Sequence, residues 1–364
     1  MKIAKNKLLV LIALLLAAIY ILFEQVNHEQ PGNLTVYKKI ADGNSFNYLI
    51  IGDSIGRGSG AEKQSLRWFN QLEVLIKERY GSSARRHSIV QSGATAFEGI
   101  YKLQNSALSR KMDLIFIVFG ENDRKFMDQY EFSFLYENLV IKTKELYPGA
   151  EIITFVESSL KHEPFADVIK TISFKYGART LDMRIPFSDS GLLTEHLTSD
   201  MIHPNGKGYQ LYARSIFEFI NKNIENEPVI ASATKPLLKN DYFSLTDKKD
   251  PSRNNGFIFE EGVFVSSRKG NYLEYEFQGS ILGVNALRHE NGGMMDVFID
   301  GEYVRTISTW WPFARERQIY IASGLDNGRH TVRFEAIEDV SANNISKKSV
   351  IQIFSIIVAS EREK

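Results

Sequence analysis

The chain has 364 residues, and its 44 basic and 44 acidic side chains give a formal net charge of zero. This length is typical of two domains, and the balanced charge gives no sign of a nucleic acid partner. Cysteine is absent, which excludes disulfides, a thiol nucleophile and cysteine metal sites.

The first residues predict a membrane anchor. Lys2, Lys5 and Lys7 precede an unbroken apolar run over Leu8–Phe23. Such a run crosses most of the roughly 30 Å hydrocarbon core, and its basic flank should remain cytoplasmic. The run ends in large residues, which favours an uncleaved anchor over a cleaved signal peptide. We therefore predict a single-pass segment over 1–24 with the rest of the chain outside the cytoplasm, or secreted if the segment is cleaved.

An α/β pattern follows a polar stretch over 25–45, which predicts a tether. Strands are predicted at Phe46–Ile51, His87–Val90, Leu114–Phe119, Ile152–Val156 and Thr180–Met183, and helices at Trp68–Tyr80, Phe97–Leu108, Phe132–Leu146, Phe165–Tyr176 and Tyr209–Ile224. This alternation indicates a domain over 46–226 with a parallel sheet covered on both faces. In such sheets the ligand crevice lies beyond the carboxyl ends of the strands.

The last third of the chain has a different pattern. After a linker predicted over 227–240, short runs of Val, Ile, Phe and Tyr are separated by Gly, Asn and Asp. Asp300 and Gly301 lie between two alternating runs and predict a hairpin turn. The alternation predicts an antiparallel β-sandwich over 241–364.

Four separated patches carry residues suited to acyl transfer. Ser54 follows the first strand, and a serine hydroxyl needs a base to become a good nucleophile. His203 can serve as that base, with Asp200 three residues earlier to fix its tautomer. The Gly93 N–H and the Asn122 amide follow two other strands, where they can donate to an oxyanion. We therefore predict Ser54, His203 and Asp200 as catalytic residues.

These patches resemble the motif blocks of the SGNH (GDSL-type) hydrolases. The blocks are Gly52-Asp53-Ser54, Gly93, Gly120-x-Asn122-Asp123 and Asp200-x-x-His203, in the family's order over about half of the chain. The resemblance implies a flavodoxin-like three-layer α/β/α sandwich. It also implies an oxyanion hole formed by the Ser54 and Gly93 N–H groups with the Asn122 side chain. Asp53 and Asp123 are expected to accept hydrogen bonds from loop N–H groups instead.

The β-rich region resembles, more loosely, the jelly-roll accessory domains of carbohydrate esterases. The resemblance lies in the hairpin around Asp300 and in the strand that begins near His330. Trp310 and Trp311 are candidates for stacking on a sugar, although aromatic residues of a sandwich usually fill its core. Arg57, close to the nucleophile, is a candidate for substrate binding or a solvated loop residue.

The predicted function is an extracytoplasmic carbohydrate O-acetyl esterase that uses a serine acyl-enzyme and requires no cofactor or metal. Its predicted partners are an acylated polysaccharide and, through residues 1–24, a membrane, but no nucleic acid. The alternatives are a polysaccharide O-acetyltransferase with the same triad, a lipid esterase or thioesterase, and a non-catalytic glycan-binding module. The sequence does not decide between water and a sugar hydroxyl as acceptor, nor does it give the oligomeric state.

Overall fold

The computed structural model describes residues 35–108, 111–226 and 243–361. The predicted anchor over 1–24 and the predicted linker over 227–240 lie outside these residues. Within the described ranges, no helix is both long enough and apolar enough to cross a membrane. From Thr35 onward the described residues form one compact unit.

The predicted tether over 25–45 is wrong for its second half. Helix α1 (Val36–Ala41) begins there, and its residues Val36, Tyr37 and Ile40 are buried in the same apolar cluster as the parallel sheet. Positions i, i+1 and i+4 share a helix face, so three apolar residues are enough to attach this short helix. The polar residues on either side concealed the pattern in the sequence.

A parallel sheet of five strands forms the centre of the first region. Its elements are β1 (Phe46–Gly52), α2 (Trp68–Tyr80), β2 (Ala84–Val90), α3 (Ala96–Gln104), β3 (Leu114–Val118), α4 (Gln129–Leu146), β4 (Glu151–Val156), α5 (Glu163–Lys175), β5 (Arg179–Asp182), α6 (Arg184–Asp189), α7 (Thr194–Leu197) and α8 (Gly206–Asn226). The strand order is β2-β1-β3-β4-β5 with parallel pairing throughout. This is the flavodoxin-like order, and the predicted parallel α/β fold is confirmed.

Helices cover both faces of this sheet. Alternate residues of β1 point to opposite faces: Tyr48 and Ile50 pack with α1, α2 and α8, whereas Leu49 and Ile51 pack with α3, α4 and α5. The strands are apolar on both sides because both sides are buried. The result is three layers, with the carboxyl ends of the strands left open at one edge.

The second region consists of two antiparallel sheets. Its strands are β6 (Phe243–Lys248), β7 (Arg253–Asn255), β8 (Ile258–Glu260), β9 (Val263–Ser266), β10 (Tyr272–Gln278), β11 (Ile281–Arg288), β12 (Met294–Ile299), β13 (Glu302–Ser308), β14 (Arg315–Ser323), β15 (Arg329–Ala336) and β16 (Ile351–Glu361). The sheets run β13-β12-β15-β10-β7 and β14-β11-β16-β9-β8, with β6 paired to β16. The predicted hairpin turn at Asp300-Gly301 joins β12 and β13. One apolar cluster with members from both sheets lies between them, as expected for a sandwich.

One sheet of this sandwich also packs against the α/β region. Phe243, Ile281, Tyr320 and Ile357 belong to the same apolar cluster as helices α3, α4 and α5. The ring of Tyr320 lies 5.9 Å from that of Phe97, centroid to centroid, in an edge-on arrangement. The sheet that contains β14, β11 and β16 is therefore apolar on both faces. Helix α3 directly follows the Gly93 loop, so this contact lies next to the predicted active site.

Candidate active site

The strand register brings three of the predicted site residues to one edge of the parallel sheet. Gly52 at the end of β1 is level with Val90 of β2 on one side and with Val118 of β3 on the other. The loops that carry Ser54, Gly93 and Asn122 therefore leave three adjacent strands at the same height. The sequence fixes this placement because parallel strands all present their carboxyl ends at one edge.

Ser54, His203 and Asp200 form a continuous hydrogen-bonded chain. The Ser54 Oγ lies 2.8 Å from the His203 Nε2, and the His203 Nδ1 lies 2.7 Å from the Asp200 Oδ2. An ionised carboxylate can only accept, so the Asp200 partner holds the imidazole proton on Nδ1. The Nε2 atom is then free to accept the proton of Ser54, which is the arrangement that activates a serine.

The loop from Asp200 to His203 is bent to hold the carboxylate in place. Met201 has a φ of +68°, a left-handed conformation that is uncommon for a residue with a side chain. The turn allows the Asp200 Oδ1 to accept from the N–H groups of Ile202 at 3.1 Å and His203 at 2.8 Å. Partial burial acts to raise the pKa of Asp200, but the hydrogen bonds from His203 and Ile202 outweigh it and lower that pKa below its ordinary value. Asp200 therefore stays ionised at neutral pH.

Hydrogen-bond donors lie beside Ser54, the predicted nucleophile. The backbone N–H groups of Ser54 and Gly93 donate to no protein acceptor within the described ranges. Gly93 has a φ of +74°, which turns its N–H without the strain that a side chain would add. The Asn122 amide donates one N–H to the Asp53 Oδ2 at 2.7 Å, so its second N–H can serve another acceptor.

Buried carboxyl groups support these loops from behind. Asp53 accepts from the Ile55 N–H at 2.8 Å, and Asp123 accepts from the Ala96 and Gly120 N–H groups at 2.7 and 3.1 Å. The expectation that both aspartates hold loop N–H groups is confirmed. Burial raises the pKa of Asp53 to about 6, although its backbone hydrogen bonds oppose the shift. Burial also raises the pKa of Asp123 to about 7 and, together with the charge on Asp53, that of Glu157 well above its usual range.

The sandwich contributes side chains to the same edge. A Cβ atom placed on Gly93 would lie 3.9 Å from the Arg317 guanidinium nitrogens and 4.0 Å from the ring of Trp311. Arg57, another predicted residue, donates to the Ser92 hydroxyl at 3.2 Å and so lies at the Gly93 loop. Trp310 instead pairs through its backbone with His289, and none of its described contacts is with Ser54 or Gly93.

Sequence reasoning did not find Arg317 or its partner Glu98. Arg317 Nε and Nη2 donate to the two carboxylate oxygens of Glu98 at 2.8 to 3.2 Å, and both side chains are almost fully buried. Glu98 lies in the first turn of the apolar helix α3, and a carboxylate among Phe97, Gly99 and Ile100 was the one available signal of a buried partner.

The predicted catalytic residues of this site lie within the segment of the chain that matches a known family of ester hydrolases. Residues 50–211 match the model of the GDSL-like lipase/acylhydrolase family, and they contain all four motif blocks. This match confirms the predicted relationship to the GDSL-type hydrolases and the prediction of an ester-hydrolysing enzyme.

Some known proteins resemble the chain in overall fold, and one resembles it in sequence over a short segment. Two solved structures of a two-domain esterase active on acetylated mannans, the second with mannopentaose, have TM-scores of 0.70 and 0.69 at 17% and 18% identity. Each comparison covers 90% of this chain, with 95% and 94% of the esterase, so the two-region fold is shared. A curated relative, the A type blood N-acetyl-alpha-D-galactosamine deacetylase of Flavonifractor plautii, is 26% identical over 89 residues. That match spans 24% of this chain and 12% of the relative.

Proposed function

We propose that this protein is a carbohydrate esterase that removes acetyl groups from sugar hydroxyls of a polysaccharide. The observation that carries the proposal is the chain of 2.8 and 2.7 Å contacts through Ser54, His203 and Asp200, beside two backbone N–H groups without a protein acceptor.

The geometry supports a two-step reaction through an acyl-enzyme. The Ser54 Oγ attacks the ester carbonyl carbon while the His203 Nε2 takes the serine proton. The oxyanion that forms receives hydrogen bonds from the Ser54 and Gly93 N–H groups and from the Asn122 amide. The carbon–oxygen bond to the sugar then breaks, and His203 returns the proton to the leaving sugar oxygen. In the second step His203 takes a proton from water, whose oxygen attacks the acyl carbon. The bond from that carbon to the Ser54 Oγ then breaks, and His203 returns the proton to Ser54 as the acid leaves.

The glycan part of the proposal rests on the sandwich. The solved structures that share both regions are described as an esterase active on acetylated mannans, and the partial relative as a sugar deacetylase. Trp311 gives the site a flat aromatic side chain from the sandwich, next to Gly93. Aromatic faces suit the apolar face of a sugar ring. The resemblance of the sandwich to jelly-roll accessory domains favours the same class of substrate.

The location is a separate proposal that rests on the sequence alone. We propose that the apolar run over Leu8–Phe23 and its basic flank anchor the protein, with the site outside the cytoplasm. Fractionation of cells that express the full chain tests this. Recovery of uncleaved protein in the membrane fraction, accessible to external protease, is expected. Full-length protein in the cytoplasmic fraction would contradict the proposal.

Acetate release from acetylated polysaccharides tests the activity. The same preparation is compared on p-nitrophenyl esters of increasing acyl length, and we expect the acetyl ester to be the best of that series. A preference for long acyl chains would contradict the carbohydrate assignment and favour a lipid esterase. Transfer of the acetyl group to an added sugar at the expense of free acetate would instead identify an acetyltransferase.

Labelling with a fluorophosphonate probe separates an enzyme from a non-catalytic binding module. Wild-type protein should become labelled, whereas Ser54→Ala should not. Equal labelling of the two proteins would contradict the assignment of Ser54 as the nucleophile.

A further inference from the structure

A small cavity lies between the α/β region and the sandwich, beside the Gly93 loop. Its volume is about 30 Å³, room for about two water molecules. It is lined by Gly93, Thr95, Glu98 and Phe126 from the α/β region and by Arg288, Arg317, Gln318, Ile319 and Tyr320 from the sandwich. It therefore adjoins a predicted oxyanion donor, and its charged lining is mainly basic.

The charges around the cavity do not balance. Glu98 is the one acidic residue in the lining, and it is already shared by Arg317 at 2.8 Å and Lys102 at 2.7 Å. Arg288 has no carboxylate within ion-pair distance among the described residues. Burial, together with the charge of Arg317, lowers the pKa of Arg288 to about 10, which still leaves the side chain cationic at neutral pH. The two arginines that line the cavity thus face one carboxylate among the lining residues, an excess of one positive charge.

Two donors of the arginines that line this cavity have no acceptor in the described part of the chain. The Nη1 atom of Arg317 is buried without a hydrogen-bond partner, although the side chain is only 3% exposed. The Nε atom of Arg288 is buried and without a partner as well. Most buried N–H groups in proteins have an acceptor, and an unpaired charged donor is especially costly. These donors call for an acceptor that the described residues do not supply.

We propose that this cavity binds a carboxylate of the substrate, so that the enzyme prefers acetylated glycans that contain acidic sugars. A carboxylate has two acceptor oxygens and one negative charge, which match the two free donors and the excess of positive charge. The cavity is too small for a pyranose ring, so only the carboxylate enters and the ring stays outside. This inference rests on the proposed esterase function, because it names the substrate class of the same site.

The position of Trp311 agrees with this arrangement. The Arg317 guanidinium lies 5.6 Å from the centre of the Trp311 ring, and both side chains approach Gly93. A sugar ring against Trp311 could therefore direct its carboxylate towards Arg317 and Arg288. The same ring, or its neighbour along the chain, would then carry the acetyl group towards Ser54.

The test compares two substrates that differ only in the carboxylate. Acetylated oligogalacturonides are compared with the same oligosaccharides after their carboxyl groups are reduced to alcohols and acetylated to the same degree. For wild-type protein we expect kcat/KM for acetate release to be at least about tenfold higher on the acidic substrate, since a hydrogen bond to a charged group is worth this much or more. In Arg288→Gln that ratio should fall about tenfold, mainly through a higher KM for the acidic substrate.

Arg253→Gln is the matched control, because Arg253 lies in β7 of the same sandwich with its side chain 71% exposed. Its ratio should equal that of the wild type. An equal effect in both variants would indicate a general charge effect and overturn the assignment to the cavity. Equal rates of wild-type protein on the two substrates would overturn the preference itself. If wild-type protein also fails to hydrolyse p-nitrophenyl acetate, the proposed esterase function itself would be refuted.

A binding measurement covers the case in which Arg288→Gln does not fold. Galacturonate should raise the melting temperature of wild-type protein, galactose at the same concentration should not, and sodium acetate, which lacks the ring that would contact Trp311, should raise it less than galacturonate. Stabilisation by acetate equal to that by galacturonate would show that the cavity takes a free carboxylate such as the product, and would overturn the proposed sugar specificity. The absence of any shift with galacturonate would overturn it too.

Discussion

The two regions meet at the active site, but the side chains that each contributes there are held differently. In the α/β region Ser54, His203 and Asp200 bond to one another, and Asp123 accepts two backbone N–H groups. In the sandwich the donors nearest the site, Arg317 Nη1 and Trp311 Nε1, have no partner within the described residues.

This difference separates two tasks. Groups that already hold one another are preorganised and need no substrate to reach their reactive geometry. The free N–H groups of Ser54 and Gly93 would gain a partner only when an oxyanion forms, whereas the free side-chain donors of the sandwich would gain theirs when a substrate binds. We therefore propose that the α/β region carries out the chemical step and that the sandwich recognises the substrate.

Removal of the Ser54 hydroxyl is the strongest test of the role proposed for the α/β region. Ser54→Ala should lower kcat by about 10⁴ to 10⁶, since nothing else in the triad can form the acyl-enzyme. The melting temperature should change little because, among the described residues, the Ser54 hydroxyl bonds only to His203. Ser88→Ala, an exposed serine in β2, is the control and should retain full activity. Substantial esterase activity in Ser54→Ala would place the chemistry elsewhere.

The buried ion pair between Glu98 and Arg317 should contribute more to stability than any exposed ion pair. Glu98→Ala leaves Arg317 buried without its counter-ion, which typically costs about 3–5 kcal/mol. Urea unfolding measures the loss. The control is Glu338→Ala, which breaks the exposed pair with Lys269 and should cost less than about 1 kcal/mol. Equal losses in the two variants would mean that the regions do not depend on this contact.

Loss of the side-chain oxyanion donor should have a smaller effect than loss of the nucleophile. Asn122→Ala should lower kcat about 10²- to 10³-fold with little change in KM, because the bond matters mainly in the transition state. Asn226→Ala, at the exposed end of α8, provides the control. A rise in KM without a fall in kcat would assign Asn122 to substrate binding instead.

The smallest expected effect lies at the far hairpin of the sandwich. The His330 Nδ1 lies 2.7 Å from the Asp300 Oδ2, and this bond, with one to the Asp326 carbonyl, raises the pKa of His330 above its ordinary value. The folded state therefore holds this proton more tightly than the unfolded chain. The stabilisation is complete below pH 6.5 and is lost as the pH rises through the folded pKa.

Urea unfolding of wild type and His330→Gln between pH 5.5 and 9 measures this contribution. The difference in unfolding free energy should be greatest at the acidic end and within the range of about 0–1 kcal/mol that surface ion pairs typically show. A difference that grows with pH would contradict the predicted sign.

The sequence was sufficient to predict the part of the candidate site that lies at the strand ends. Ser54, Gly93 and Asn122 could be placed together because a parallel sheet aligns the ends of its strands. The resemblance of the four motif blocks to a known family then predicted the role of each residue. The contact between Glu98 and Arg317 could not be predicted, since the two residues are 219 positions apart and meet only where one sheet packs against α3. Alternation marks the core face of a strand but does not show which outer face will be covered. The helix at Val36–Ala41 was missed because its apolar face has only three residues.

The double role of the β14–β11–β16 sheet has a consequence for engineering. Its outer side chains share a core with α3 and α4, so a cut in the segment 227–242 would strip the hydrolase of part of its own interior. A chimaera with a foreign glycan-binding module would inherit that exposed apolar surface unless the helices were redesigned with it. Changes of specificity in this scaffold are therefore better sought by substitution within the sandwich than by exchange of the whole sandwich.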